Sequence, residues 1–253
     1  IPVYSLLIAT MVPANVVPTL TKVVAMLGLY ALGIGGAFAF AWLFNRKVMP
    51  GVSSTMVLEM PDYKMPALHG ILLHLWERAR VFLVRAGTVI LGFTIIIWFT
   101  STYPKSTASG KSEQLAESFA GRAGHLIEPI IRPLGYDWKI GIGLISSFAA
   151  REVFVNTMSV VYAVESESED DIQPLRQRLL AERRPDGRAV YTPLVCLSLL
   201  IFYVFAMQCM STIAIVKRET NSWRWALFQL GYMSGTAYIL ALLVYQVGSA
   251  MGW

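Results

Sequence analysis

Residues 21–47 read TKVVAMLGLYALGIGGAFAFAWLFNRK, an apolar run closed by Trp42, Arg46 and Lys47. A helix that crosses a bilayer needs about 20 mostly apolar residues. Hydrocarbon offers the backbone no hydrogen-bond partner, so such a run must satisfy its own amides as a helix. Gly28, Gly33, Gly35 and Gly36 give this one small faces on which a second helix can pack closely. Further apolar runs follow at 86–102, 140–164, 194–216 and 225–247. The class they dictate is all-α: a polytopic membrane helix bundle with broken or re-entrant helices and amphipathic surface helices.

Composition agrees. Of the 253 residues, 55% are hydrophobic and 15% charged, against about a quarter charged in soluble domains. The formal charge of +5 could suit nucleic acid, but no basic stripe alternates with exposed aromatics. Lys and Arg cluster at the ends of apolar runs, as the positive-inside rule expects, with Arg46 and Lys47 on the cytoplasmic side. The partner this implies is the lipid bilayer, and no nucleic acid. Cys196 and Cys209 are spaced for neither a zinc knuckle nor a CxxC redox pair. No GxxxxGK[ST] phosphate loop is present, so this chain alone is expected neither to bind nor to hydrolyse nucleotide. The opening IPVYSLLIATMVP lies inside an apolar run and lacks a basic n-region, which reads as a piece of a larger polypeptide.

Along the chain, residues 1–12 read as the end of one helix, stopped near Pro13. Prolines argue against a crossing before Pro66. Leu68, Ile71, Leu72, Leu75, Ala79 and Phe82 then recur at helical spacing, with Arg78, Arg80 and Arg85 near or opposite the stripe. That predicts an amphipathic helix on the cytoplasmic surface, followed by a crossing over 86–102 whose far interface Trp98 marks. Short helices at the opposite surface are expected before residue 139, and a solvated acidic and arginine-rich loop after 164, with a helix over 173–182. The histidines read as structural or solvated: His69 and His74 on the surface helix, His125 in the far-side loop.

The run ISSFAAREVFVNTMSVVYAV places Arg151 and Glu152 in the middle of an apolar segment. A charge at the bilayer centre costs about 2.5–3.5 kcal/mol on insertion scales. Three readings stand: an interfacial pair joining two short helices, an ion pair pinning neighbouring helices, or a helix broken near 149–152 whose freed backbone borders a hydrated path. Neighbours stand about 100° apart on a helix, so the two cannot easily pair with each other and each needs a partner elsewhere. Asn156 follows Glu152 on the same face, with Thr157 beside it. These oxygen donors suit a hard or borderline divalent cation, and equally a helix contact. The run Met207, Gln208, Cys209, Met210, Ser211, Thr212 supplies sulfur and polar groups in the middle of the next apolar segment. Sulfur favours softer or borderline metals, although methionine also commonly fills cores.

The stretches IPVYSLLIA, WERARVFLVRAGTVIL, EPIIRPLGYDWKIGIGLISSFAAREVFVNTMSVVY, CLSLLIFYVFAMQCMSTIAIVKRETNSWRWALFQLGYM and LLVYQVG, in this order over nearly the whole chain, resemble the C-terminal part of the FeoB ferrous-iron transporter permease. The resemblance implies a connecting segment over 1–66 and a second Gate-type unit over 67–253. It implies a GTP-dependent Fe²⁺ permease of the bacterial inner membrane, with Fe²⁺ as substrate and no permanently bound cofactor. GTP and Mg²⁺ would be held only by an N-terminal GTPase domain that, like the first Gate unit, has no counterpart here. Small cytoplasmic accessory proteins and a homo-oligomer are further implied partners. Carried over by motif position, Cys209 and Glu152 become metal candidates. The wider pathway set adds Asn156, Thr157, Gln208, Ser211, Met207 and Met210, with Arg151 in a structural or electrostatic role. Gln208 stands where the family often has proline, so a proline-induced break at Cys209 is not implied. The alternatives are a Gate-type carrier of an organic solute such as a nucleoside, which predicts an aromatic residue beside Asn156, and a structural module that assembles with partner subunits.

Overall fold

In a computed structural model the protein is described over residues 2–11, 18–47, 67–104, 111–148, 151–162, 173–184, 187–207 and 209–252. The elements there are helical: α1 (Pro2–Met11), α2 (Pro18–Lys47), α3 (Leu68–Thr102), α4 (Lys111–Glu117), α5 (Phe119–Ile131) with a 3-10 turn at Arg132–Leu134, α6 (Trp138–Ser147), α7 (Val153–Val161), α8 (Gln173–Ala181), α9 (Pro193–Phe205), α10 (Met210–Thr220) and α11 (Trp223–Ala250). Two stretches, Leu20–Arg46 and Trp223–Ala250, are each long and apolar enough to cross a membrane. The bundle is the all-α membrane class that the apolar runs dictate.

The long α11 organises one half. Pro193 opens α9 at the position where a missing amide costs nothing, and the Thr192 hydroxyl accepts from Val195 N–H. A Cβ on Gly248 would stand 2.2 Å from Leu194 Cδ1, and Ser198 Oγ donates to Ala241 O at 3.0 Å. At the other end, the Lys217 ammonium lies over the Trp223 ring at 4.5 Å. So α9 and then α10 run antiparallel to α11 as one broken crossing. Phe44 of α2 meets Tyr232 edge-on at 4.8 Å, which sets Arg46 at the same end as Lys217, Arg218 and Arg224. The positive-inside rule makes this end cytoplasmic. At the far end, Tyr238 Oη donates to Ile130 O and Gln246 Nε2 to Pro133 O, both at 2.8 Å. These bonds fix α5 and its 3-10 turn beside the end of α11.

The run at 140–164 does not cross. A Cβ on Gly143 would lie 2.4 Å from Met158 Cε and 2.6 Å from Phe154 Cε2. The Lys139 ammonium sits 5.0 Å from the Tyr162 ring centre. In one straight helix residues 143 and 158 would be about 22 Å apart at 1.5 Å per residue. Helices α6 and α7 are therefore an antiparallel re-entrant hairpin, with Arg151 and Glu152 at its tip and residues 139 and 162 together at its mouth. This decides the choice between full crossing and re-entry, which Lys and Arg counting left open, and it leaves the basic turn after α10 on the cytoplasmic side.

Two further expectations change. The surface helix and the crossing expected over 67–102 are one continuous α3, because no proline interrupts it. Its 35 residues, at 1.5 Å each, extend about 52 Å, past a hydrocarbon core of about 30 Å. Arg78 and Arg80 can therefore lie outside hydrocarbon on an unbroken helix. The amphipathic surface helices are α5 and α8. His125 lies on α5 and not in a loop; its Nδ1 is 2.9 Å from Glu128 Oε2 and its ring stacks on Trp138 at 4.8 Å. On α8, Leu175 and Leu179 are buried in the core and Arg176 Nε donates to Ala9 O at 2.7 Å, so the helix docks on the end of α1 instead of lying free in a solvated loop. The core itself gathers Leu6, Leu7, Leu134, Ile140, Met158, Leu199 and Tyr203 from α1, α6, α7, α9 and the 3-10 turn. The linker over 48–66 and the acidic stretch over 165–172 lie outside the described residues.

Candidate functional site

The hairpin tip is built by its own sequence. Ser146 Oγ donates to Gly143 O and Ser147 Oγ to Leu144 O, each at 2.8 Å. Hydroxyls that bond back into the preceding turn loosen a helix. Phe148 N–H reaches Ile145 O, tightening the last turn, and α6 ends there. The chain then turns through Arg151 and Glu152, and α7 starts at Val153.

The second break lies opposite. Ala206 leaves α9 in extended conformation, with φ −68° and ψ 135°. Cys209 is also extended (φ −155°, ψ 109°) and precedes the first turn of α10. A helix leaves its last carbonyls without helical donors. Here side chains from other elements supply them: Tyr4 Oη donates to Tyr203 O at 3.2 Å, and Arg151 Nη2 to Ala206 O at 2.9 Å. Arg151 Nη1 also donates to Tyr4 Oη at 3.3 Å. Tyr203 and Ala206 are buried, and the Tyr203 ring packs edge-on against Phe154 of α7 at 5.2 Å. One guanidinium thus joins α1, the hairpin tip and the broken crossing.

The expected site residues divide into three groups. Arg151 finds partners on other helices, as the 100° argument requires. Glu152, at the tip, is exposed and forms no salt bridge with a described residue. Asn156 and Thr157 come together, lining a cavity of about 250 Å³ between α3 and α7 with Trp98, Val153 and Val160. Thr157 is 2% exposed and its Oγ1 has no hydrogen-bond partner among the described residues. On the broken crossing, Met207 is buried, Cys209 half-buried and Met210 exposed. Gln208 and the side chain of Ser211 lie outside the described residues. Among the described residues no group of three His, Cys, Asp or Glu side chains gathers as a metal site.

Sequence reasoning missed two features. Tyr4 is the hub of the break, and its only advance signal was its place in the IPVYSLLIA stretch. The other is the mouth of the hairpin, a cavity of about 690 Å³ lined by His125, Glu128, Asp137, Lys139, Glu182 and Arg184 among others. There Lys139 Nζ meets Glu182 Oε1 at 2.5 Å and Arg184 Nη2 donates to Gly135 O at 2.5 Å. Asp137 caps α6 by accepting from Ile140 N–H at 2.9 Å. Burial raises its carboxyl above the ordinary range, while that bond and the charge of Lys139 pull the other way. A signal existed: DWK charges stand directly before an apolar run.

The comparisons with known proteins fit this architecture. The family described as "Nucleoside recognition", Gate, matches residues 83–223, more than half of the 253-residue chain. "Ferrous iron transport protein B C terminus" matches residues 26–78. A "Fe(2+) transporter FeoB" of Leptospira biflexa serovar Patoc is 40% identical over 230 residues, covering 90% of this chain and 33% of the relative. One from Leptospira interrogans is 38% identical over 257 residues, covering 97% and 36%. A "Fe(2+) transport protein A/Fe(2+) transporter FeoB fusion protein" of Porphyromonas gingivalis is 29% identical, covering 98% and 32%. The chain thus spans about a third of the length of these curated relatives. No solved structure is significantly similar to it. On the Gate match and the near-complete coverage by these relatives, the chain belongs to the Gate family, as the C-terminal part of a FeoB-type membrane permease.

Proposed function

We propose that this chain is the second permease unit of a ferrous-iron importer in the bacterial inner membrane, and that Fe²⁺ passes where the hairpin tip meets the broken crossing. The observation that carries the reading is the contact of Arg151 with Ala206 O: two helix breaks, one with Glu152 beside it and one followed by Cys209, abut inside a bundle. Broken helices supply unpaired backbone groups to a substrate path. Glu152 and Cys209 are the principal ligands on that path. Asn156, Thr157, Gln208, Ser211, Met207 and Met210 are secondary donors. The named function of the relatives supports iron as cargo.

This chain carries out no chemistry of its own. GTP and Mg²⁺ are held by a separate N-terminal GTPase part, whose nucleotide state shifts the permease between closed and open. A small cytoplasmic accessory protein is a natural partner, given the fused relative. The test is Fe²⁺ uptake by cells making the full-length protein, with Cys209→Ser and Glu152→Gln at matched membrane levels. Loss of uptake with normal folding and GTPase activity supports the path; unchanged uptake removes both residues from it.

A second reading has one observation in its favour. Trp98 lines the cavity that holds Asn156 and Thr157, an aromatic face beside an amide, as recognition of an organic base would use. Metal-independent binding of a labelled nucleoside, lost in Trp98→Ala, would replace iron as the cargo.

A further inference from the structure

The end of α9 is a place where a cation belongs. A helix carries about half a negative charge at its C-terminus, on carbonyls that lack helical donors. In α9 this end lies inside the bundle, at buried residues. Two of its carbonyl oxygens point at side chains: Tyr203 O accepts from the Tyr4 hydroxyl at 3.2 Å and Ala206 O from the Arg151 guanidinium at 2.9 Å. Tyr4 Oη is a third oxygen in the group, 3.3 Å from Arg151 Nη1. No carboxylate of a described residue forms a salt bridge with Arg151. Its charge is met by two neutral oxygens and the helix end.

We infer that the oxygens of Tyr203, Ala206 and Tyr4 form a divalent-cation site that Arg151 occupies as a tethered substitute cation, holding the permease closed until the transported ion displaces it. This rests on the reading of the chain as a cation permease. Carbonyl and hydroxyl oxygens suit a hard or borderline divalent ion. A guanidinium and a divalent ion cannot share them, because each would face the other's charge at close range in a poorly hydrated site. Arrival of the ion therefore requires Arg151 to leave. Its departure frees Tyr4 from the hairpin tip, so occupancy of the site is felt by α1 as well as by the two broken segments. The cation-seeking end of α9 is thereby never left without a positive charge.

The test uses the purified full-length protein, with anaerobic Fe²⁺ as the probe in two measurements: equilibrium binding in detergent and influx into proteoliposomes. Arg151→Gln keeps a donor for Ala206 O and removes the charge. It is expected to bind Fe²⁺ at least about tenfold more tightly than wild type, because the ion no longer has to displace a cation. It is also expected to admit Fe²⁺ without GTP. Arg151→Lys keeps the charge and is expected to retain wild-type affinity and GTP dependence. Tyr4→Phe removes one of the site's three oxygens and is expected to weaken Fe²⁺ binding, which decides the matter if Arg151→Gln fails to fold. Unchanged or weaker binding in folded Arg151→Gln, or unchanged or tighter binding in folded Tyr4→Phe in its place, overturns the inference and leaves Arg151 as a helix clamp. Wild type that binds Fe²⁺ without moving it defeats the transport reading alone. Wild type and variants that all fail to bind Fe²⁺ defeat both.

Discussion

The two broken segments meet at one contact and are made in opposite ways. The first, α6 and α7, folds back on itself, and its break is written locally: two serines bond back to the carbonyls of Gly143 and Leu144 near the end of α6, and charged residues follow. The second, α9 and α10, continues across the bundle along α11, and nothing in its own sequence compels it to stop at Phe205. Its orphan carbonyls are satisfied from outside, by Tyr4 of α1 and Arg151 of the hairpin. One break is therefore autonomous and the other depends on its neighbours. A break that depends on neighbours is the one whose geometry a distant event can change.

The sharpest way to break this comparison is topological. In a background with Cys209→Ser, cysteines introduced at Glu117 and Arg178 should react with a membrane-impermeant thiol reagent from one face, and a cysteine at Thr220 from the other. If positions 117 and 178 label from opposite faces, α6 and α7 cross and the hairpin is wrong. Next in size is Gly143→Val. Its side chain would stand where Met158 and Phe154 now lie, 2.4 and 2.6 Å from the Cβ position. A loss of about 3 kcal/mol is expected from overpacking, read as a lowered melting temperature in detergent. Glu182→Ala removes the partner of Lys139, whose side chain is 9% exposed, against 26% for Glu182. The stranded ammonium keeps the Trp138 and Tyr162 rings, so the expected cost is about 2 kcal/mol.

On the continuing segment, Gly36→Ala presses on Phe205, the last residue of α9, with the ring edge 2.5 Å from the new Cβ. A flexible ring can shift, so about 1 kcal/mol is expected. The smallest effect is a pH dependence at the hairpin mouth. Burial raises the folded pKa of Asp137 above its unfolded value near 3.9. Its contribution to stability is complete below that unfolded value and is lost as pH rises through the folded one. Asn also caps helices, so Asp137→Asn should gain on wild type as pH is raised from about 4 toward neutrality. Melting curves that stay parallel across that range would show the buried carboxyl to be of no consequence.

Much of this was legible beforehand because bilayer physics is severe. Apolar runs and basic ends led to a helix bundle, and the cost of Arg151 and Glu152 offered a break near 149–152 as one of three readings. What stayed illegible was of two kinds. The fold-back of the hairpin depends on Gly143 admitting Phe154 and Met158, a contact between residues whose spacing signals nothing by itself. The partners of Arg151 are a tyrosine 147 positions earlier and a backbone carbonyl 55 positions later, and a carbonyl has no residue type to read. The cysteine and methionine cluster is the reverse case: conspicuous in sequence, it is split in space between buried Met207 and exposed Met210.

The length of α3 has a mechanical consequence. A rod of 35 residues, held near its Thr102 end by the bond from Phe119 N–H to Tyr103 O and by its packing on α7, has an arm that extends beyond those contacts. Tilting it by about 5° moves the Leu68 end by about 4.5 Å, close to one helical turn. Small rotations among the packed helices at one membrane face are thus converted into a stroke at the other, of a size that a water-soluble neighbour could grip or deliver.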